Sequence, residues 1–165
     1  MKKTLLFLIL AFSVLLQTSF MQKISIFGVS PNLPMTMLFF VAFFSRSYKM
    51  TMLSGLFLGL LFDIFSGTAF GIFSLTFICL AFFVSVLLDS VVLRDNIFML
   101  FAILFFGTIF GSFLSAATAD LFDLLEISVM HINLNYSLLK TSVIEAVLNS
   151  FLMLAILPLR RFAIL

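Results

Sequence analysis

Two residue types that carry much of protein chemistry are nearly missing from this chain of 165 residues, which has one cysteine and one histidine. Cys79, set in an apolar run, excludes an internal disulfide and a thiolate metal cluster. His131 alone excludes a histidine-rich metal site within one chain. Charge is scarce as well: Asp, Glu, Lys and Arg make up 10% of the residues, against about 25% in a soluble domain. The net charge of +2 rests on nine scattered basic residues, which form no patch for nucleic acid. Tryptophan is absent, so the chain lacks the Trp anchors common at membrane interfaces. What is present is apolar. Hydrophobic residues reach 64%, with 25 Phe and 9 Met, and the mean hydropathy is +1.33. A membrane-spanning helix takes about 20 apolar residues, so six would occupy roughly 120 and leave only short loops. The composition predicts an all-α integral membrane protein, a single transmembrane domain over residues 1–165 forming a compact bundle of about six helices.

Charges and prolines divide the chain into spans. The first runs from about Thr4 to Met21, behind Lys2 and Lys3. Its start is like a signal peptide, but Gln17 to Gln22 are bulky and offer no small-residue cleavage site, which favours an uncleaved helix. The second, Leu33 to Ser45, follows Pro31 and carries Pro34, residues suited to a helix start. It extends only about 20 Å at 1.5 Å per residue, short of a hydrocarbon core about 30 Å thick. It is therefore expected to be tilted or shielded by its neighbours. Further spans are predicted at 50–65, 71–88, 97–119 and 138–157, the last closed by Pro158.

With both termini cytoplasmic, Lys2, Lys3, Arg46, Lys49, Arg94, Arg160 and Arg161 lie inside, and only Lys23 and Lys140 lie outside. The positive-inside rule selects that orientation. The longest outer segment, Asp120 to Tyr136, has acids at 120, 123 and 126 and apolar residues at 121, 124, 125 and 132. This pattern predicts a short amphipathic helix on the outer leaflet, acting either as a simple connection or as a docking surface.

Within the spans, ionisable side chains are costly and face the bundle interior or a cavity. Asp63 lies about 21 Å beyond Lys49, and Glu145 about 10 Å beyond Leu138, by helical rise. On opposite-running spans these positions fall at nearly one depth. Thr141, Glu145 and Asn149 share one helix face by their spacing of four. Three uses remain open for this layer: an interhelical hydrogen-bond cluster, a polar grip on a partner's transmembrane helix, or a site for substrate, protons or catalysis. Gly55, Gly59, Gly67 and Gly71 recur at multiples of four, with Asp63 in register. Gly55 and Gly59, like Gly107 and Gly111, match the GxxxG pattern that lets helix backbones approach closely, within the bundle or between molecules.

No enzyme signature emerges. No G-x-S-G stands in a span, because Ser54-Gly55 and Ser66-Gly67 both lack the glycine two places before the serine. Asp63 and Asp120 are a conceivable carboxylate pair, as in a lipoprotein signal peptidase, yet that family's Asn- and Asp-containing motifs are missing around both. Walker A and dinucleotide-binding glycine motifs are absent too. No catalytic residue, cofactor or metal ligand is assigned.

The run GLFLGLLFDIFSGTAFGIFSL, Gly55 to Leu75, resembles the signature region of the rod shape-determining protein MreD family. That family typically shows a G-x-x-x-G-x-x-x-D helix, a short glycine-containing loop and another glycine. Gly55, Gly59, Asp63, Gly67 and Gly71 occupy those places. Leu16-Gln17, then Phe27-Gly28-Val29 and Pro31-Asn32-Leu33, are similar to the family's opening. Asn149, Pro158 and Arg160-Arg161 are similar to its end. The chain departs where many relatives carry Gly-Pro before the second loop glycine and a His after it. Here Thr68-Ala69-Phe70 and Phe73-Ser74 stand instead, and Glu145 has no counterpart in the pattern.

The resemblance implies a non-catalytic, multi-pass subunit of the bacterial cell-elongation machinery in the inner membrane. It would bind MreC and, through it, connect with MreB, RodA and its transpeptidase in peptidoglycan synthesis. Gly55, Gly59 and Asp63 are the expected close-packing surface and polar anchor for a partner helix. The family's bundle is similar to the substrate-binding subunits of energy-coupling-factor vitamin transporters, which gives the alternative function. The first span has only Ala11 where those subunits dock through A-x-x-x-A, which counts against it.

Overall fold

The computed structural model describes residues 2–45, 47–90, 96–126 and 136–160. Among them lie six α-helices: α1 (Lys2–Ser19), α2 (Leu33–Ser45), α3 (Tyr48–Ser66), α4 (Ile72–Ser90), α5 (Ile97–Leu124) and α6 (Tyr136–Ile156). Short 3-10 turns, Met21–Lys23 and Leu157–Leu159, follow α1 and α6. Helices α3 to α6 are each long and apolar enough to cross a membrane, whereas α1 and α2 are shorter apolar helices.

The short helix is the centre of the molecule. Every residue of α2 except Phe44 is buried, and α2 touches α1, α3, α4, α5 and α6. The shielding expected from its length is thus supplied by the chain itself. A helix that is hydrophobic all round belongs in a core, and Leu38, Phe39 and Val41 are almost wholly sequestered. The outer helices are two-faced instead. On α1, Leu6, Leu10, Ser13, Val14 and Gln17 point inward at spacings of three and four, while Leu8 and Phe12 are 62% and 59% exposed. In a membrane protein that exposed apolar face is suited to lipid.

A buried helix N-terminus needs partners for its first N–H groups, and α2 finds them all. The Asn32 N–H donates to Asn149 Oδ1 at 2.7 Å and the Leu33 N–H to Gln17 Oε1 at 2.8 Å. Pro34 has no N–H. The Met35 N–H donates to Asn32 Oδ1 at 3.1 Å, and the Thr36 N–H opens the helical ladder on the Asn32 carbonyl at 3.0 Å. At their opposite-facing starts, Ser47 caps α3 through the Met50 N–H and Asn96 caps α5 through the Phe98 N–H.

One boundary differs from expectation. Helix α5 does not stop near Ala119 but continues to Leu124, 28 residues in all. Neither Gly nor Pro interrupts Ala119–Leu124, so the helical ladder runs on past the point where the acids begin. At about 42 Å by helical rise, α5 exceeds the hydrocarbon thickness of about 30 Å. The first part of the supposed outer amphipathic helix, Asp120 to Leu124, is therefore the end of α5, followed by a turn with Glu126 at φ 58°. The remainder of that prediction, from 127 to 135, lies outside the described residues.

Candidate functional site

The glycine seam of α3 faces α4 of the same chain. A β-carbon at Gly59 would stand 2.6 Å from the Ser74 α-carbon, and one at Gly55 would stand 2.8 Å from both the Phe77 carbonyl oxygen and the Ala81 β-carbon. Only hydrogen fits in that contact. The close-packing surface expected to receive a partner helix is filled by α4, because the short loop between the two helices folds α4 directly back onto α3. That loop depends on two glycines. Gly67 ends α3 in the left-handed region at φ 70°, and Gly71 precedes α4 at φ 111°, conformations that L side chains adopt at a cost.

Asp63 is the polar centre of this α3–α4 unit. Its Oδ1 accepts from the Phe73 N–H at 2.9 Å, its Oδ2 from the Ser74 N–H at 3.0 Å, and the Ser74 hydroxyl also donates to Oδ2. The carboxyl is 3% exposed. Two otherwise orphaned donors of the α4 N-terminus meet an acceptor where the helix dipole favours negative charge. Asp63 thus caps a helix other than its own, through hydrogen bonds that reach only ten and eleven residues along the chain. Both oxygens are engaged within the chain, so the polar-anchor role expected toward a partner helix is taken by α4, and Asp120 does not share the cluster's hydrogen bonds.

The second GxxxG pair packs on α2 and α4. At Gly111 an added β-carbon would meet the Met35 methyl at 2.8 Å and Leu80 at 3.2 Å, and at Gly107 it would run into the Phe39 ring. Beside this contact lies Asn149, wholly buried, which accepts from the Asn32 N–H and donates through Nδ2 to Thr108 Oγ1 at 3.3 Å. Asn149 therefore joins α6 to the start of α2 and to the middle of α5.

Glu145 sits one turn from Asn149 but belongs to a different environment. Ser112 Oγ donates to its Oε2 at 3.0 Å, and the Asn32 side chain lies beside the same carboxyl. Among the described residues no cationic side chain pairs with it. Instead it lines a cavity of about 190 Å³ together with Asn32, Met35, Phe73, Thr76, Phe77, Ser112, Ser115, Ala116, Leu138 and Thr141. Phe73 links the two acidic sites: its N–H binds Asp63 and its side chain forms part of the cavity wall. No group of three or more His, Cys, Asp or Glu able to hold a metal occurs among the described residues.

The sequence pointed to Asp63, Glu145, Asn149 and the glycines but overlooked Ser112, Thr108 and the capping role of Gln17. Thr108 and Ser112 follow at a spacing of four on the face that carries Gly111 only one residue away, and that run of small polar residues was the available signal.

Compared with known proteins, the sequence model of one family, rod shape-determining protein MreD, matches residues 1–163. No curated protein and no solved structure matches the chain. With a match that takes in both glycine seams, the Asp63 cap and the polar side chains of α6, the chain belongs to the family of the rod shape-determining protein MreD.

Proposed function

We propose that this chain is a non-catalytic subunit of the bacterial cell-elongation complex, set in the inner membrane with both termini cytoplasmic, where it binds MreC. Through MreC it connects with MreB, RodA and its transpeptidase, and so supports peptidoglycan synthesis and the rod shape. The observation that carries this reading is the family match over nearly the whole chain. The use of the family's signature residues agrees with a binding protein. Gly55, Gly59, Asp63, Gly67 and Gly71 all serve to fold α4 onto α3. They give the bundle a fixed outer shape for a partner to read.

The reading is tested by affinity purification of a tagged copy from detergent-solubilised membranes of the native host. Recovery of MreC with the elongation synthase is expected, as is rounding of rod-shaped cells on depletion. Recovery of paired ATPases with a transmembrane coupling subunit, in place of MreC, overturns it. Because Gly59→Leu must push the α4 backbone away whereas Asp63→Asn keeps one acceptor for the cap, Gly59→Leu is expected to reduce MreC recovery more. Equal recovery of both variants at normal expression would mean that the α3–α4 unit does not shape the partner surface.

A further inference from the structure

The Glu145 cavity has walls of an unusual chemical bias. Four of its lining residues carry hydroxyls, and each hydroxyl hydrogen already has a protein acceptor. Ser115 donates to the Ser112 carbonyl at 2.9 Å and Thr141 to the Leu138 carbonyl at 2.9 Å, while the Thr76 hydroxyl lies 2.8 Å from both the Ile72 carbonyl and the Thr118 hydroxyl, either of which accepts its one hydrogen. Ser112 has a single hydrogen to share between the Thr108 carbonyl and Glu145 Oε2, both at 3.0 Å. A hydroxyl that has donated retains only acceptor lone pairs. The amide of Asn32, whose oxygen takes the Met35 N–H, is the one other side-chain donor on the wall among the described residues, and it is already turned to Glu145. A carboxyl and four hydroxyl oxygens thus face a space that is otherwise lined by Met35, Phe73, Phe77, Ala116 and Leu138.

Such a cavity selects a ligand that donates hydrogen bonds, carries positive charge and is apolar behind its charged end. A carboxylate within the membrane layer requires a counter-charge or a proton, and none of the described side chains supplies the counter-charge. Phe73 and Phe77 in the lining bring aromatic rings, a residue type that attracts cations, to the same space. At about 30 Å³ per water-sized atom, the volume holds a group of roughly six heavy atoms. We propose that this cavity binds an alkylammonium group, a primary amine on a short apolar stem, with Glu145 as its counter-ion and Ser112, Ser115, Thr76 and Thr141 as acceptors. The amine reaches it either as a free small molecule or as the ethanolamine headgroup of a lipid.

The test uses the full chain, purified in a neutral detergent and titrated with n-butylammonium chloride. Tetramethylammonium chloride, a cation without N–H donors, serves as the control at equal ionic strength. At tenfold excess over its Kd the amine is expected to raise the melting temperature by about 3–5 °C, and tetramethylammonium is expected to leave it unchanged. Glu145→Gln, which keeps the shape of the side chain, is expected to abolish the shift. Ser115→Leu, which fills the cavity and leaves the carboxyl in place, is expected to do the same. In parallel, the protein is placed in nanodiscs of phosphatidylethanolamine or phosphatidylcholine, the latter a quaternary ammonium lipid. Stabilisation by n-butylammonium assigns a free amine. Stabilisation that depends on Glu145 and appears only in phosphatidylethanolamine assigns the lipid headgroup. Equal melting of wild type and Glu145→Gln under every condition overturns the proposal and leaves a carboxyl neutralised by a proton alone.

Discussion

Two carboxylates inside one helical bundle have been put to opposite ends. Asp63 is closed off: three donors from the start of α4 engage its two oxygens, and it is 3% exposed. Glu145 is left more open, with the Ser112 hydroxyl and the Asn32 amide beside it and a cavity before it. Residue type does not separate them, since both are acids within long apolar helices. The neighbours do. Asp63 meets a helix N-terminus, where N–H groups without intrahelical partners demand an acceptor. Glu145 meets the side of α5 and the Asn32 side chain, where the backbone is already bonded and only side-chain donors remain. An acid in a membrane span is a functional hypothesis by default, and this pair shows that the hypothesis must be divided according to whether the acid's lone pairs are already taken.

That comparison is open to attack by substitution, with stability followed by thermal or detergent denaturation of the purified protein. The largest loss is expected at Gly59→Leu. A side chain there overlaps the α4 backbone, and overpacking that cannot relax costs about 3 kcal/mol or more. Wild-type stability in this variant would deny the tight α3–α4 contact on which the Asp63 cap depends. Next comes Asp63→Leu, which strands the Phe73 and Ser74 N–H groups and is expected to cost about 2–4 kcal/mol, with Asp63→Asn losing about half as much. Asn149→Leu removes the acceptor of the Asn32 N–H at the start of α2 and the donor to Thr108 on α5, for an expected loss of about 1–2 kcal/mol. The smallest effect belongs to Glu145→Gln. It keeps an acceptor for Ser112 and relieves a charge, so its stability without ligand is expected to stay within about 0.5 kcal/mol of wild type. A loss at Glu145→Gln as large as that at Asp63→Leu would erase the distinction between the two acids.

The ease with which the sequence reveals this fold varies with the range of the interaction involved. The helices are legible because apolar runs are punctuated by charges, prolines and glycines, and the short span Leu33–Ser45 agrees with α2 residue for residue. The end of α5 was misplaced because acids at 120 and 123 mark a change of solvent, whereas a helix ends only when its hydrogen-bond ladder is interrupted. Asp63 was conspicuous in the sequence as an acid in an apolar span. Its role as a cap was hidden, since that depends on Gly67 and Gly71 turning α4 back over it. Glu145 was visible for the same reason as Asp63. Its Ser112 partner, 33 residues away on another helix, and the cavity between α4, α5 and α6 arise only from packing.

The link between Asn149 and Asn32 carries a consequence for biogenesis. The two residues are separated by 117 positions, and the acceptor lies on α6, made well after α2. At a synthesis rate of about 5–20 residues per second, α2 would emerge roughly 6–23 s before α6 can satisfy its first N–H. During that interval a 13-residue helix too short to span the bilayer has the Asn32 N–H before it still unpaired and only part of its sheath around it. The start of α2 is therefore completed only when α6 packs against it, a step that resembles closing a ring rather than adding one more span.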